Sequence, residues 1–104
     1  GETMETIDAN FFEEAIRQHV VIQFSASWCG PCKALTKTID KNKDELDVPF
    51  YKLSLDDNYD ISSRYKVKSV PTLILFKNGK EIDRMTGNRK LEDIIKFIRE
   101  QSND

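Results

Sequence analysis

At 104 residues the chain has the length of one compact domain, and its 38% hydrophobic and 33% charged residues give the balance of a folded globular protein, which excludes intrinsic disorder. Its 16 basic and 18 acidic side chains leave a formal charge of −2 with no basic stripe, which argues against nucleic acid as a partner. No apolar run approaches the ~20 residues that span a bilayer, so no membrane contact is expected.

A chain of this size buries roughly 60–70% of the surface it would expose unfolded, enough for a core without covalent staples. Asp8 is a candidate N-cap for a first helix whose apolar face is Phe11, Phe12, Ala15 and Ile16. Val20 to Phe24 is a largely β-branched run that reads as a buried central strand. Ser25 to Cys32 then forms a turn feeding a helix from about Pro31 to Lys43, with Leu35, Ile39 and Leu46 on one stripe. Pro49 opens a strand from Phe50 to Leu55, and Asp56, Asp57 and Asn58 mark a turn capping a short helix with Ile61 and Tyr65. Thr72 to Phe76 reads as another strand. Asn78-Gly79 is the strongest hairpin signal in the chain, and the polar strand after it, Glu81 to Thr86, suits a sheet edge. Asn88 is placed as the cap of a last helix that carries Leu91, Ile94, Ile95 and Ile98 on one face. The order α β α β α β β α implies parallel crossovers plus one antiparallel hairpin, hence a mixed sheet with helices on both faces in one domain spanning residues 1–104.

The chemistry concentrates in Cys29-Gly30-Pro31-Cys32. Disulfide exchange needs two thiols that can join and one that ionises readily. Cys29, at or just before the first helical turn, faces unpaired backbone N–H groups and the positive end of the helix dipole, both of which favour thiolate and lower its pKa. Cys32 lies one turn inside on the same face. Pro31 suits the first helical position, having no N–H to lose. A zinc site needs about four ligands, but there is no third cysteine and His19, placed at a helix end in solvent, is the sole histidine, so no metal is expected. A purely structural role is weak too, because closing so short a loop constrains the unfolded chain little.

Phe24 to Lys33, with Trp28-Cys29-Gly30-Pro31-Cys32 at its centre, resembles the active-site segment of the thioredoxin family. Lys66 to Thr72, containing Val70-Pro71, and then Phe76 to Gly79 resemble its second signature, so the likeness spans about residues 5 to 102. The resemblance implies the thioredoxin fold, a central mixed sheet of four to five strands flanked by four helices. It implies a cis bond between Val70 and Pro71, and a shallow groove for extended peptides lined by Trp28, Cys29, Gly30, Pro31, Val70, Pro71 and Gly87. It implies a reductase of protein disulfides in the cytoplasm, monomeric and without a bound cofactor. Cys29 would attack, Cys32 would resolve, and electrons would come from NADPH through a thioredoxin reductase.

Gln23 and Lys37 depart from the family pattern, while Lys52 matches it but is affected by the first change. Gln23 stands where an aspartate helps to deprotonate the second cysteine, and a neutral amide cannot take that proton. Lys52, the usual partner of that aspartate, then has no ion pair to make there and is expected in solvent or supporting Cys29 at a distance. Lys37 replaces a helix-kinking proline, so a straighter helix is expected. These departures lend weight to an alternative, a binding module with vestigial redox chemistry; both cysteines and Val70-Pro71 favour the enzyme. An oxidase or isomerase is the third reading.

Overall fold

A computed structural model describes residues 3–102. In chain order the elements are β1 (Glu5–Thr6), α1 (Ala9–Ala15), β2 (Val20–Ser25), α2 (Gly30–Lys41), a 3-10 turn (Lys43–Glu45), β3 (Phe50–Ser54), α3 (Tyr59–Arg64), β4 (Thr72–Lys77), β5 (Lys80–Thr86) and α4 (Leu91–Ser102). The sheet order is β1-β3-β2-β4-β5. β1 and β2 each run parallel to β3, while β2–β4 and β4–β5 are antiparallel. This is the mixed sheet flanked by four helices that the element order implies.

The β-branched run of β2 lies at the centre of the sheet, buried along its whole length. Its alternation divides the core. Val20, Ile22 and Phe24 join Phe12, Ile16, Leu53, Ile61, Ile74 and Phe76 beneath α1 and α3. Val21 points the other way, to Leu35, Ile39, Leu73, Leu75, Ile94 and Ile98 beneath α2 and α4. Gln23 has the parity of Val21 and therefore faces α2.

Local chemistry sets the ends of the elements. The Phe11 N–H donates to Asp8 Oδ1 at 2.8 Å, so Asp8 caps α1 as its sequence position requires. Asp8→Ala is expected to cost about 1 kcal/mol in a urea melt; an unchanged midpoint would show the cap to be energetically silent. Asn78 and Gly79 take φ values of 55° and 83°, the left-handed pair a tight two-residue hairpin needs. The Gly79 N–H donates to the Ile16 carbonyl at 2.8 Å and ties the hairpin to the end of α1.

Several expectations need correction. β1 has no signal in the sequence, because two residues with exposed side chains make no readable alternation. Leu46 lies past α2: Asn42 Nδ2 donates to the Thr38 carbonyl at 2.7 Å, and the chain leaves through the 3-10 turn. Asn88 does not cap α4, since the Lys90 carbonyl accepts from the N–H groups of Asp93 and Ile94 and the helix opens at Leu91. Phe97 joins Ile94 and Ile98 in the buried face of α4, while Leu91 and Ile95 are half-buried. Phe11 is exposed and packs edge-on against Tyr51, with ring centroids 5.2 Å apart. His19 follows the end of α1 and is half-buried, and desolvation, then the nearby Lys77 charge, lowers its pKa. α2 runs unbroken through Lys37, as the absence of proline there allows.

Candidate active site

The site hangs from the end of the central strand. After Ser25 the chain passes through buried Ala26 and exposed Ser27 and Trp28 to Cys29, which is the N-cap of α2. There the Cys32 N–H donates to Cys29 Sγ at 3.1 Å. A sulfur in the N-cap position thus takes the donor that a Ser or Asp oxygen usually takes. Gly30 is the first helical residue and Pro31 the second, one place further in than expected; an N–H there is unpaired in any helix, so proline still costs no bond. Cys29 and Cys32 form a disulfide with Cα atoms 5.3 Å apart. Cys29 is 4% exposed and Cys32 1%, so the order of exposure is as expected but the margin is narrow.

Two other segments close on the pair. The Val70–Pro71 bond is cis, as the resemblance implies, and the Val70 carbonyl oxygen lies 3.8 Å from Cys29 Sγ. The Gly87 N–H donates to the Pro71 carbonyl at 2.9 Å, with Gly87 at a φ of 82° that a side chain would strain. Trp28 is 69% exposed, which removes it from the core, and its Nε1 donates to Asp56 Oδ2 at 2.9 Å. Asp56 reads in sequence only as a turn former. Its partnership with a residue 28 positions away has no local signal.

Beneath the pair, Gln23 is fully buried, and its Nε2 donates to Thr36 Oγ1 at 2.9 Å and to the Cys32 carbonyl at 3.3 Å. Gln23 Oε1 is buried without a hydrogen bond. Lys52 is the register partner of Gln23 on β3, half-buried and in no ion pair among the described residues. It is therefore not fully solvated. It lines an open cleft of about 470 Å³ together with Cys32, Lys33, Thr36, Asp56 and Asp57. Among the described residues no group of three or more His, Cys, Asp or Glu side chains could hold a metal, and no helix is long and apolar enough to cross a membrane.

The thioredoxin family profile matches residues 2–100. The chain belongs to the thioredoxin family. It is 43% identical to a thioredoxin of Chlamydia caviae over 84 residues, 80% of this chain and 82% of that protein. It is likewise 43% identical to thioredoxin-1 of Saccharomyces cerevisiae over 82 residues, 76% of this chain and 80% of the yeast protein. The crystal structure of Malassezia sympodialis thioredoxin superposes with a TM-score of 0.84 at 29% identity, covering 98% of this chain and 93% of that one. The fold is therefore the thioredoxin fold, and the chain is a protein-disulfide oxidoreductase built around the Cys29–Cys32 pair.

Proposed function

We propose that this member of the thioredoxin family reduces protein disulfides, with Cys29 attacking and Cys32 resolving. The observation that carries the reading is the N-capping sulfur: Cys29 Sγ accepts the Cys32 N–H at the positive end of α2, with its disulfide partner one turn inside. In the dithiol form the same N–H and dipole favour the Cys29 thiolate. That thiolate attacks one sulfur of a substrate disulfide, and the electron pair of the broken bond leaves with the other sulfur. Cys32 then attacks the mixed disulfide at Cys29, the substrate's second sulfur departs as thiolate, and the Cys29–Cys32 bond closes. The substrate gains two electrons and the protein loses two.

An extended substrate segment would lie across Trp28, Gly30, Pro31, Val70, Pro71 and Gly87. The exposure of Trp28 and the convergence of the Val70 and Gly87 segments on the disulfide support this groove. Electrons are proposed to return from NADPH through a thioredoxin reductase, in the cytoplasm, with the chain acting as a monomer. Reduction of insulin by the protein with dithiothreitol, and then with NADPH and a thioredoxin reductase, tests both halves. Activity in the first assay and none in the second would leave the chemistry and remove that electron donor; activity in neither would remove the reductase.

Gln23 should slow resolution, since a buried amide that donates to the Cys32 carbonyl cannot accept a proton. Gln23→Asp is expected to speed decay of the mixed disulfide by about a hundredfold, the lower end of what a positioned base contributes. Stopped-flow timing of substrate release checks it, and an unchanged rate would show that a carboxylate at this position adds nothing to the step.

A further inference from the structure

We propose that Thr36 is a positioning residue for the resolving step, its hydroxyl oriented by Gln23 so that a neutral pair serves Cys32 in place of a carboxylate. The inference rests on the reading of Cys32 as the resolving thiol.

Three observations carry it. Gln23 Nε2 directs its two hydrogens to the Cys32 carbonyl and to Thr36 Oγ1. With one lone pair of Thr36 Oγ1 engaged by the amide, the hydroxyl proton must point elsewhere. It finds no second partner among the described residues, and Thr36 and Cys32 line the same cleft. Thr36 is also four positions after Cys32, one turn along the same face of α2. Rotating the Gln23 amide would set Oε1 against the Cys32 carbonyl, two acceptors facing each other, so the donor orientation is the only one the neighbours satisfy. The orientation is held at a cost, because Oε1 is left buried and unpaired.

The chemistry follows from the direction of the hydroxyl. In the mixed disulfide Cys32 S–H gives its proton to water in the cleft, and Thr36 O–H, directly or through that water, donates to the thiolate that remains. Thr36 gains and loses no proton. The Gln23 N–H on its oxygen makes the hydroxyl a stronger donor, because linked hydrogen bonds polarise one another. The thiolate then forms the Cys32–Cys29 bond, the Cys29–substrate bond breaks, and the electron pair leaves on the substrate sulfur, which is protonated from solvent. Charged groups on every side of the cleft act on the same proton: Lys33 from α2, Lys52 from β3, and Asp56 and Asp57 from the turn after β3. All four remain in place in the variants below.

The test is the pH dependence of mixed-disulfide resolution, measured with a preformed adduct between Cys29 and a chromogenic thiol. Thr36→Val keeps the shape and removes the donor. It should move the midpoint of the rate–pH curve up by about one unit and slow release about tenfold below that midpoint, one unit being a tenfold change in thiolate fraction. Thr36→Ser should restore the wild-type curve, with thermal melts of all three proteins showing that they are folded. A Thr36→Val curve that overlays the wild type overturns the proposal, as does a serine variant that behaves like valine. Cys32→Ser is run beside them. If its adduct persists, the resolving role of Cys32 stands whatever Thr36 does, and if its adduct decays at the wild-type rate, that underlying reading fails instead.

Discussion

Cys29→Ser is expected to abolish insulin reduction entirely, leaving only the background rate of dithiothreitol. The serine oxygen can occupy the same N-cap and accept the same N–H from Cys32, so the helix start and the fold survive. What is lost is the nucleophile. A hydroxyl stays protonated near neutral pH where a capped thiol ionises, and it cannot form the bond to sulfur whose closure gives two electrons to the substrate. Cys32 does not substitute, because it lies inside α2 and lacks the N-cap position that favours the Cys29 thiolate. The assay should be paired with circular dichroism and a thermal melt, so that a folded, inactive protein is distinguished from an unfolded one. A folded Cys29→Ser variant with half the wild-type rate would mean that another group starts the exchange.

The largest expected effect on stability lies on the opposite face of the sheet. Phe12 is fully buried and meets three aromatic rings edge-on: Phe76 at 5.6 Å, Tyr65 at 5.9 Å and Phe24 at 6.4 Å between centroids. It couples α1 to β2, to β4 and to the end of α3. Truncation to alanine removes the buried ring and leaves a cavity that three rigid neighbours cannot collapse to fill, for a cost of roughly 3–5 kcal/mol. Domains of this size are stable by only about 5–15 kcal/mol. Phe12→Ala should therefore lower the melting temperature by about 15 °C or more, at ~4–8 °C per kcal/mol. Calorimetry gives the answer, and a drop of under about 5 °C would mean that the cluster is loosely packed or relaxes freely.

The features legible in the sequence were those with local causes. The buried run of β2, the Asp8 cap and the Asn78-Gly79 turn each carry their physics within a few residues. The Cys29–Cys32 spacing likewise states its own geometry: a capping sulfur and a second one a turn later. What the sequence concealed was set by contacts between distant segments. β1 exists because β3 offers it an edge, not because Glu5-Thr6 has any pattern. Asp56 becomes part of the site only once the turn after β3 meets Trp28. Thr36 reads as a polar interruption of an amphipathic helix until Gln23 is found donating to it across the gap between β2 and α2. Asn88 is a capping residue type, but it follows the left-handed turn at Gly87 and the helix opens only at Leu91.

The position of β2 has a consequence for how the molecule opens. β2 has neighbours on both sides, whereas β1 and β5 form the rims of the sheet and α4 closes the described chain. Fraying begins where backbone bonds are few and ends where they are shielded from every direction. The reactive corner is thus mounted on the segment that surrenders its amide protons last, and the rim strands β1 and β5 come off that frame first. A loosened rim strand thus leaves the two sulfurs on their mount.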